Sequence, residues 1–211
     1  MSGDLQMTKI LGLTGGIASG KSTADVFFRE KQIPVIDCDQ IAHDILNRDE
    51  KGYELVLKHF GTSILKSDRS INRSELGQIV FNDKKQLEAL NAITHPLIFQ
   101  EIQAKIALNN MNKNSLIVVD APVLFESNGQ KYCDFTLLIA IPESLQMKRL
   151  MLRDQLSERA ALKRIRSQMP LSQKEKLADF VINNTGTKQD LKSKLERLLL
   201  NIKGEDLYGM S

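Results

Sequence analysis

Gly15-Gly16-Ile17-Ala18-Ser19-Gly20-Lys21-Ser22-Thr23 puts three glycines, one lysine and three hydroxyl side chains directly behind the apolar run Lys9-Ile10-Leu11-Gly12-Leu13-Thr14. Gly15, Gly20, Lys21 and Ser22 satisfy the spacing GxxxxGK[ST] of a phosphate-binding loop, and they lie between an expected strand and an expected helix, where that loop has to be. Glycines let successive backbone N–H groups turn inward around an anion, and the helix opening near Lys21 adds the positive end of its dipole. Lys21 would reach the β- and γ-phosphate oxygens of a nucleoside triphosphate, and the Ser22 hydroxyl would ligate Mg²⁺. The spacing therefore points to a nucleotide cradle rather than to a glycine-rich turn that binds nothing.

A second group, Asp37-Cys38-Asp39, ends the run Ile33-Pro34-Val35-Ile36. Read as a strand over 33–39, its period of two puts both carboxylates on one face at the carboxyl edge of a sheet. The alternative is that Asp39 caps a helix starting at Gln40. Paired carboxylates beside a triphosphate favour a kinase acting on a small hydroxyl substrate. A switch GTPase would carry NKxD and, after its third strand, DxxG; this chain has Asp120-Ala121-Pro122-Val123 there and no NKxD.

These groups need a scaffold that brings strand ends together. Runs at 9–14, 33–39, 115–122, 135–141 and 178–184 read as strands, the fourth apolar almost throughout, as in a strand buried on both faces. Helical segments follow at 21–31 and 143–155, so strand and helix alternate, which predicts a doubly wound α/β fold with a parallel sheet flanked by helices. Between about 40 and 110 the alternation stops and helices follow one another. That stretch is too long for one crossover connection and reads as an inserted helical lobe. The predicted organisation is a nucleotide-binding core over 8–40 and 112–205, a helical lobe over 41–111, and within the core a helical, Arg/Lys-rich stretch at 143–175 that is either a lid or a solvated surface.

At 211 residues with a net charge of +3 and no Trp, the chain suits one domain with an insertion and offers no basic, aromatic-interleaved surface for nucleic acid. Cys38 and Cys133 form no metal or CxxC pattern and read as reduced thiols. The first residues lack a secretory pattern and no apolar run approaches a membrane span, so a cytoplasmic protein without membrane contact is expected. The polar end Lys203-Gly204-Glu205-Asp206-Leu207-Tyr208-Gly209-Met210-Ser211 is expected to fray. Nothing fixes the oligomeric state; monomer and trimer are both open.

From about Lys9 to Gly186 the chain resembles the dephospho-CoA kinase family. The resemblance rests on GLTGGIASGKST (12–23), VIDCDQIAH (35–43), FGTSIL (60–65), INRSELGQIVF (71–81), LNAITHPLI (90–98), VVDAPVLFE (118–126), QMKRLMLRD (146–154), RIRSQM (164–169) and ADFVINNTG (178–186), in this order. It implies transfer of the ATP γ-phosphoryl group to the ribose 3′-hydroxyl of dephospho-CoA on a P-loop NTPase core with a helical CoA-binding lobe and a lid. It also implies ATP and Mg²⁺ as cofactors. By position Asp39 becomes the candidate base, Asp37 a support for the Mg²⁺ shell, and Thr14 a contact at the phosphate and ribose end. Arg149 and Arg153 match lid arginines facing the transferring phosphoryl group. Asn184 and Gly186 match the segment near the adenine, and Arg73 and His95, the latter followed by Pro96, match substrate-handling positions, though His95 reads equally as a structural histidine. Arg69 stands in a turn where the family usually has glycine, and Asn72 replaces a common aspartate. A nucleoside or nucleoside-monophosphate kinase, and a nucleotide-dependent switch protein, are the competing readings.

Overall fold

The computed structural model describes residues 8–112 and 114–204, so all of the expected frayed end beyond Gly204 lies outside the described residues. The chain divides into two compact units, Asp37–Asn112 and the remainder.

The remainder carries the sheet. Its strands β1 (Lys9–Gly15), β2 (Val35–Asp37), β3 (Leu116–Asp120), β4 (Phe135–Ala140) and β5 (Phe180–Asn183) lie in the order β2-β3-β1-β4-β5. β1 is central, parallel to β3 on one side and β4 on the other, and β4 is parallel to β5. This order places the loop after β1 at the carboxyl edge, beside the ends of β3 and β4, where open α/β sheets bind ligands. All five residues of β3 are buried, as the apolar run Leu116–Val119 requires of a strand covered on both faces.

On one face, α1 (Lys21–Glu30) and α9 (Lys188–Lys203) close a core of Phe27, Phe28, Leu191, Leu195 and Leu198 over Leu11, Leu13, Val118, Leu137 and Ile139. The strand residues of that core alternate along each strand, as a period of two dictates. The polypeptide between β4 and β5 forms α6 (Glu143–Asp154), α7 (Glu158–Arg166) and α8 (Leu171–Leu177), so the 143–175 stretch is helical as expected. Leu150, Ala161 and Ile165 join α6 to α7, and Ile17 and Ala18 of the glycine loop pack against them.

The unit Asp37–Asn112 is helical: α2 (Cys38–Asp44), α3 (Lys51–Phe60), α4 (Arg73–Asn82) and the long α5 (Lys84–Met111), which contains Pro96. Val56, Ile64, Ile71, Leu76 and Val80 are its buried centre, with Leu87, Leu90 and Ile93 of α5 packed on it. A sharp turn lies at 66–70, where Arg69 has φ 64°. The turn is held by bonds from Lys66 N to Ser70 O (2.9 Å) and from Tyr53 Oη to Arg69 O (2.7 Å), which secure a left-handed residue that glycine would occupy more cheaply. Asn72 caps α4 by accepting from Glu75 N, so aspartate and asparagine do the same work there.

The second strand corrects the expectation. It ends at Asp37 rather than Asp39, and Cys38 already opens α2. Asp37, not Asp39, is the N-cap, accepting the Gln40 N–H at 2.9 Å. The two carboxylates therefore do not share a strand face; Asp39 lies in the first turn of a helix. The cap gains a backbone bond that a continued edge strand would have had to forgo.

Candidate active site

The glycine loop closes on a bond from Ser19 N to Gly16 O (3.0 Å) and turns through Ala18 (φ 60°) and Gly20 (φ 96°). Gly20 is required twice over. Its φ is left-handed, and a Cβ there would collide with the Asn184 side-chain amide, which donates to Ser19 O at 2.8 Å. Helix α1 begins immediately afterwards with no side-chain cap, so its first N–H groups are left to face a ligand. Ser19 is almost fully buried, and its hydroxyl has no hydrogen-bond partner among the described residues. A Cβ on Gly15 would come within 2.5 Å of that hydroxyl. An orphaned buried hydroxyl beside an uncapped helix start is a cradle with donors to spare, which fits a phosphate group.

Lys21 Nζ lies 2.5 Å from Asp120 Oδ1, a half-buried pair in which the aspartate side chain is 6 % exposed. Asp120 ends β3, opposite Leu13 of β1, one residue before Thr14. Sequence reasoning passed over Asp120 although its signal was present: four apolar residues closing on an aspartate, in the strand beside the one that feeds the loop. A carboxylate there, with the Ser22 hydroxyl, is a donor set suited to a hard cation that keeps several waters and phosphate oxygens. Among the described residues no group of three or more His, Cys, Asp or Glu side chains is arranged to hold a metal ion.

Beside the loop, a cavity of about 400 Å³ is lined by Ala18, Gly20, Ser22, Thr23, Arg149, Arg153, Asn184 and Gly186, with Lys188 and Leu191 from α9. Eight residues singled out from the sequence thus meet in one place, although 130 positions separate the loop's Thr23 from Arg153. Lys188 was not foreseen; no motif marks it. A larger hollow, about 720 Å³, runs along α7 from Ser157 to Ser167 and touches none of the loop, so it lacks the phosphate-binding groups.

Arg149, on α6, donates to Asn184 O at 3.1 Å. Arg153, one turn on, is held by its neighbour: its guanidinium donates to both oxygens of Asp154, which also receives Arg164 at 2.6 Å. The hydrogen bond with Asp154 raises the Arg153 pKa, and the same bond lowers that of Asp154. Gly186 leads into α9, whose capping box joins Thr187 and Asp190; the Thr187 backbone and hydroxyl donors lower the Asp190 pKa. Thr14 is fully buried and its hydroxyl donates to Pro122 O at 3.1 Å.

The remaining expected residues belong to the helical unit. Asp37 and Asp39 sit at the head of α2. Arg73 opens α4 and donates to His43 O at 2.7 Å, at the far end of α2; burial lowers its pKa. His95 is exposed on α5.

Comparison with known proteins gives this geometry a family. The family model for dephospho-CoA kinase matches residues 9–190. A dephospho-CoA kinase of Lactobacillus johnsonii is 53% identical over 93% of this chain and 99% of its own length, and one of Bacillus cereus is 44% identical over 92% and 98%. Among solved structures, dephospho-CoA kinase from Campylobacter jejuni superposes with a TM-score of 0.72 at 33% identity, covering 94% of this chain and all of that one. A Thermus thermophilus protein superposes with a TM-score of 0.79 at 31% identity, covering 96% and 100%. A phosphate loop on a five-stranded sheet, a helical insertion and a match running through both make the conclusion plain: this chain belongs to the dephospho-CoA kinase family.

Proposed function

We infer that this chain, as a member of that family, phosphorylates the ribose 3′-hydroxyl of dephospho-CoA with ATP, giving coenzyme A and ADP, and that its own residues divide the work as follows. The observation that carries the reading is the loop cavity, where Ser22, Arg149, Asn184 and Gly186 meet beside the Lys21–Asp120 pair. The triphosphate lies against the N–H groups of Ala18 and Gly20 and of Lys21 and Ser22 at the start of α1. Lys21 contacts the β- and γ-phosphate oxygens, and the adenine end lies toward Asn184 and Gly186. Arg149 presents its planar fork to the γ-phosphoryl group and stabilises the charge that shifts onto the leaving oxygen. Arg153, fixed by Asp154, adds positive potential at the cavity rim.

Ser22 and Asp120 would hold Mg²⁺, with Asp37 supporting its water shell, and the ion would supply positive charge to the transferring phosphates. Asp39 accepts or orients the proton of the acceptor hydroxyl as that oxygen attacks phosphorus in line, and Arg73 and His95 handle the CoA portion. The compartment proposed is the cytoplasm, the expectation for a biosynthetic kinase of this family. No helix among the described residues is long and apolar enough to cross a membrane.

The test is ADP release by purified protein with Mg²⁺ and ATP, with dephospho-CoA compared against nucleosides and nucleoside monophosphates. Turnover with dephospho-CoA at least a hundredfold above the other acceptors is expected, the scale set by a site that hydrogen-bonds its substrate. Equal turnover with a nucleoside, or none with any acceptor, overturns the reading.

A further inference from the structure

The mechanism above leaves a buried charge unused. Lys174, on α8, is fully buried, yet it touches no part of the nucleotide cavity. Its ammonium donates to Pro122 O at 2.7 Å and pairs with Glu126 Oε1 at 2.9 Å. The same Glu126 oxygen accepts from Met169 N at 3.1 Å. The residue before Met169 is Gln168, and Gln168 Oε1 accepts the N–H of Ile17, in the middle of the phosphate loop, at 2.9 Å. At the other end, Pro122 O also receives the hydroxyl of Thr14, the residue before the loop begins. The bonds form a ring that leaves the loop at Thr14, passes through the β3 exit and α8, and returns to the loop at Ile17.

We propose that Gln168, held in place by the Glu126–Lys174 pair, is a positioning residue that sets the phosphate loop for ATP. Three observations support this. Buried charges are expensive and survive only when well paired, so the Lys174–Glu126 contact fixes the backbone at Met169 firmly. A backbone N–H in a glycine-rich loop faces the anion unless another acceptor takes it; Gln168 takes that of Ile17, so the phosphate donors begin at Ala18. Ile17 and Ala18 also pack on Leu150, Ala161 and Ile165, which join α6 to α7. Gln168 follows α7 directly, and Arg149 stands on α6, so one framework sets both the loop and the arginine.

The inference rests on the loop being the triphosphate cradle, and its test separates the two. Gln168→Met keeps length and removes the acceptor; Gln168→Glu keeps an acceptor for Ile17. Measured are KM for ATP, KM for dephospho-CoA, Kd for ADP by calorimetry, and exchange protection of the Ile17 amide by NMR. Gln168→Met is expected to raise KM for ATP and Kd for ADP by about 5- to 100-fold, the range for a donor left without a partner. It should leave KM for dephospho-CoA within about twofold and strip protection from the Ile17 amide. Gln168→Glu should keep that protection and recover most of the ADP affinity. Unchanged ADP affinity in Gln168→Met, an equal rise in both KM values, or no recovery in Gln168→Glu overturns the proposal. Lys21→Ala is the control: if it weakens ADP binding while Gln168→Met does not, only this inference fails; if it too leaves ADP binding unchanged, the cradle reading fails first.

Discussion

Thr14 reaches Pro122, Ile17 is bonded by Gln168, Lys21 by Asp120 and Ser19 by Asn184, ties that span between 99 and 165 positions of chain. In the helical unit Asp68, Asn72 and Asp83 bond instead to backbone N–H groups two or three positions on. The first kind joins strand ends and helices of the sheet-bearing unit into one preformed cradle, so the groups around the loop are held without reorganisation. The second kind starts helices and closes turns one at a time. Substitutions in the two regions should therefore differ in kind: the long ties should register in nucleotide parameters, the local caps in stability alone.

The largest effect is expected at Lys21. Lys21→Ala should lower kcat roughly 10²- to 10³-fold, the loss that follows removal of one charge-stabilising donor. The sequence alone suggests that stability would be untouched, because the lysine serves a phosphate. The pairing with Asp120 changes that expectation, since an aspartate side chain only 6 % exposed loses its cation. The melting temperature of Lys21→Ala should fall by several degrees, and Lys21→Ala with Asp120→Asn should regain it without regaining activity. An unchanged melting temperature in the single variant would mean that the tie contributes nothing to the framework.

What was legible in the sequence follows the same division. The loop could be read because its spacing is local and its glycines answer a local demand. β1, β3 and β4 could be read because strands covered on both faces are continuous apolar runs. The strand over 33–39 was read two residues too far: periodicity cannot show where a strand yields to a helix, though Asp37 followed by Gln40 has the spacing of a cap and its helix. Arg69, which the family resemblance marked as standing where glycine is usual, has a positive φ in the structure, the conformation that glycine adopts more cheaply. The roles of Gln168, Lys174 and Lys188 were not legible, because each depends on which distant segments the fold brings together. Asp120 was legible as well, as the carboxylate that closes the apolar run of β3.

A smaller loss is expected at the head of α2, where the local and the chemical readings separate cleanly. Asn caps a helix about as well as Asp, so neither Asp37→Asn nor Asp39→Asn should move the melting temperature. Asp39→Asn should lower acceptor-saturated kcat by about 10²-fold, toward the lower end for loss of a positioned base, because phosphoryl transfer relies mostly on positioning. Asp37→Asn should lose less, and a Mg²⁺ series should recover part of it. If Asp39→Asn keeps more than about a third of wild-type kcat while Asp37→Asn is nearly inactive, the base has been assigned to the wrong carboxylate.

The smallest effect belongs to Asn72, and it tests the comparison from the other side. Its side chain accepts from Glu75 N and starts α4, a bond confined to its own helix. Asn72→Ala removes that acceptor at a cost of about 1 kcal/mol, and in a chain of this size that lowers the melting temperature by roughly 2–4 °C. Asn72→Asp keeps the cap and should melt with the wild type. Because the bond reaches nothing beyond α4, KM for ATP should be the same in all three proteins, whereas Gln168→Met should move KM for ATP far more than it moves stability. Thermal melts and ATP titrations on the same preparations give both readings. A rise in KM for ATP in Asn72→Ala comparable to that in Gln168→Met would show that local caps and long ties act on the loop alike, and the distinction between the two regions would fall.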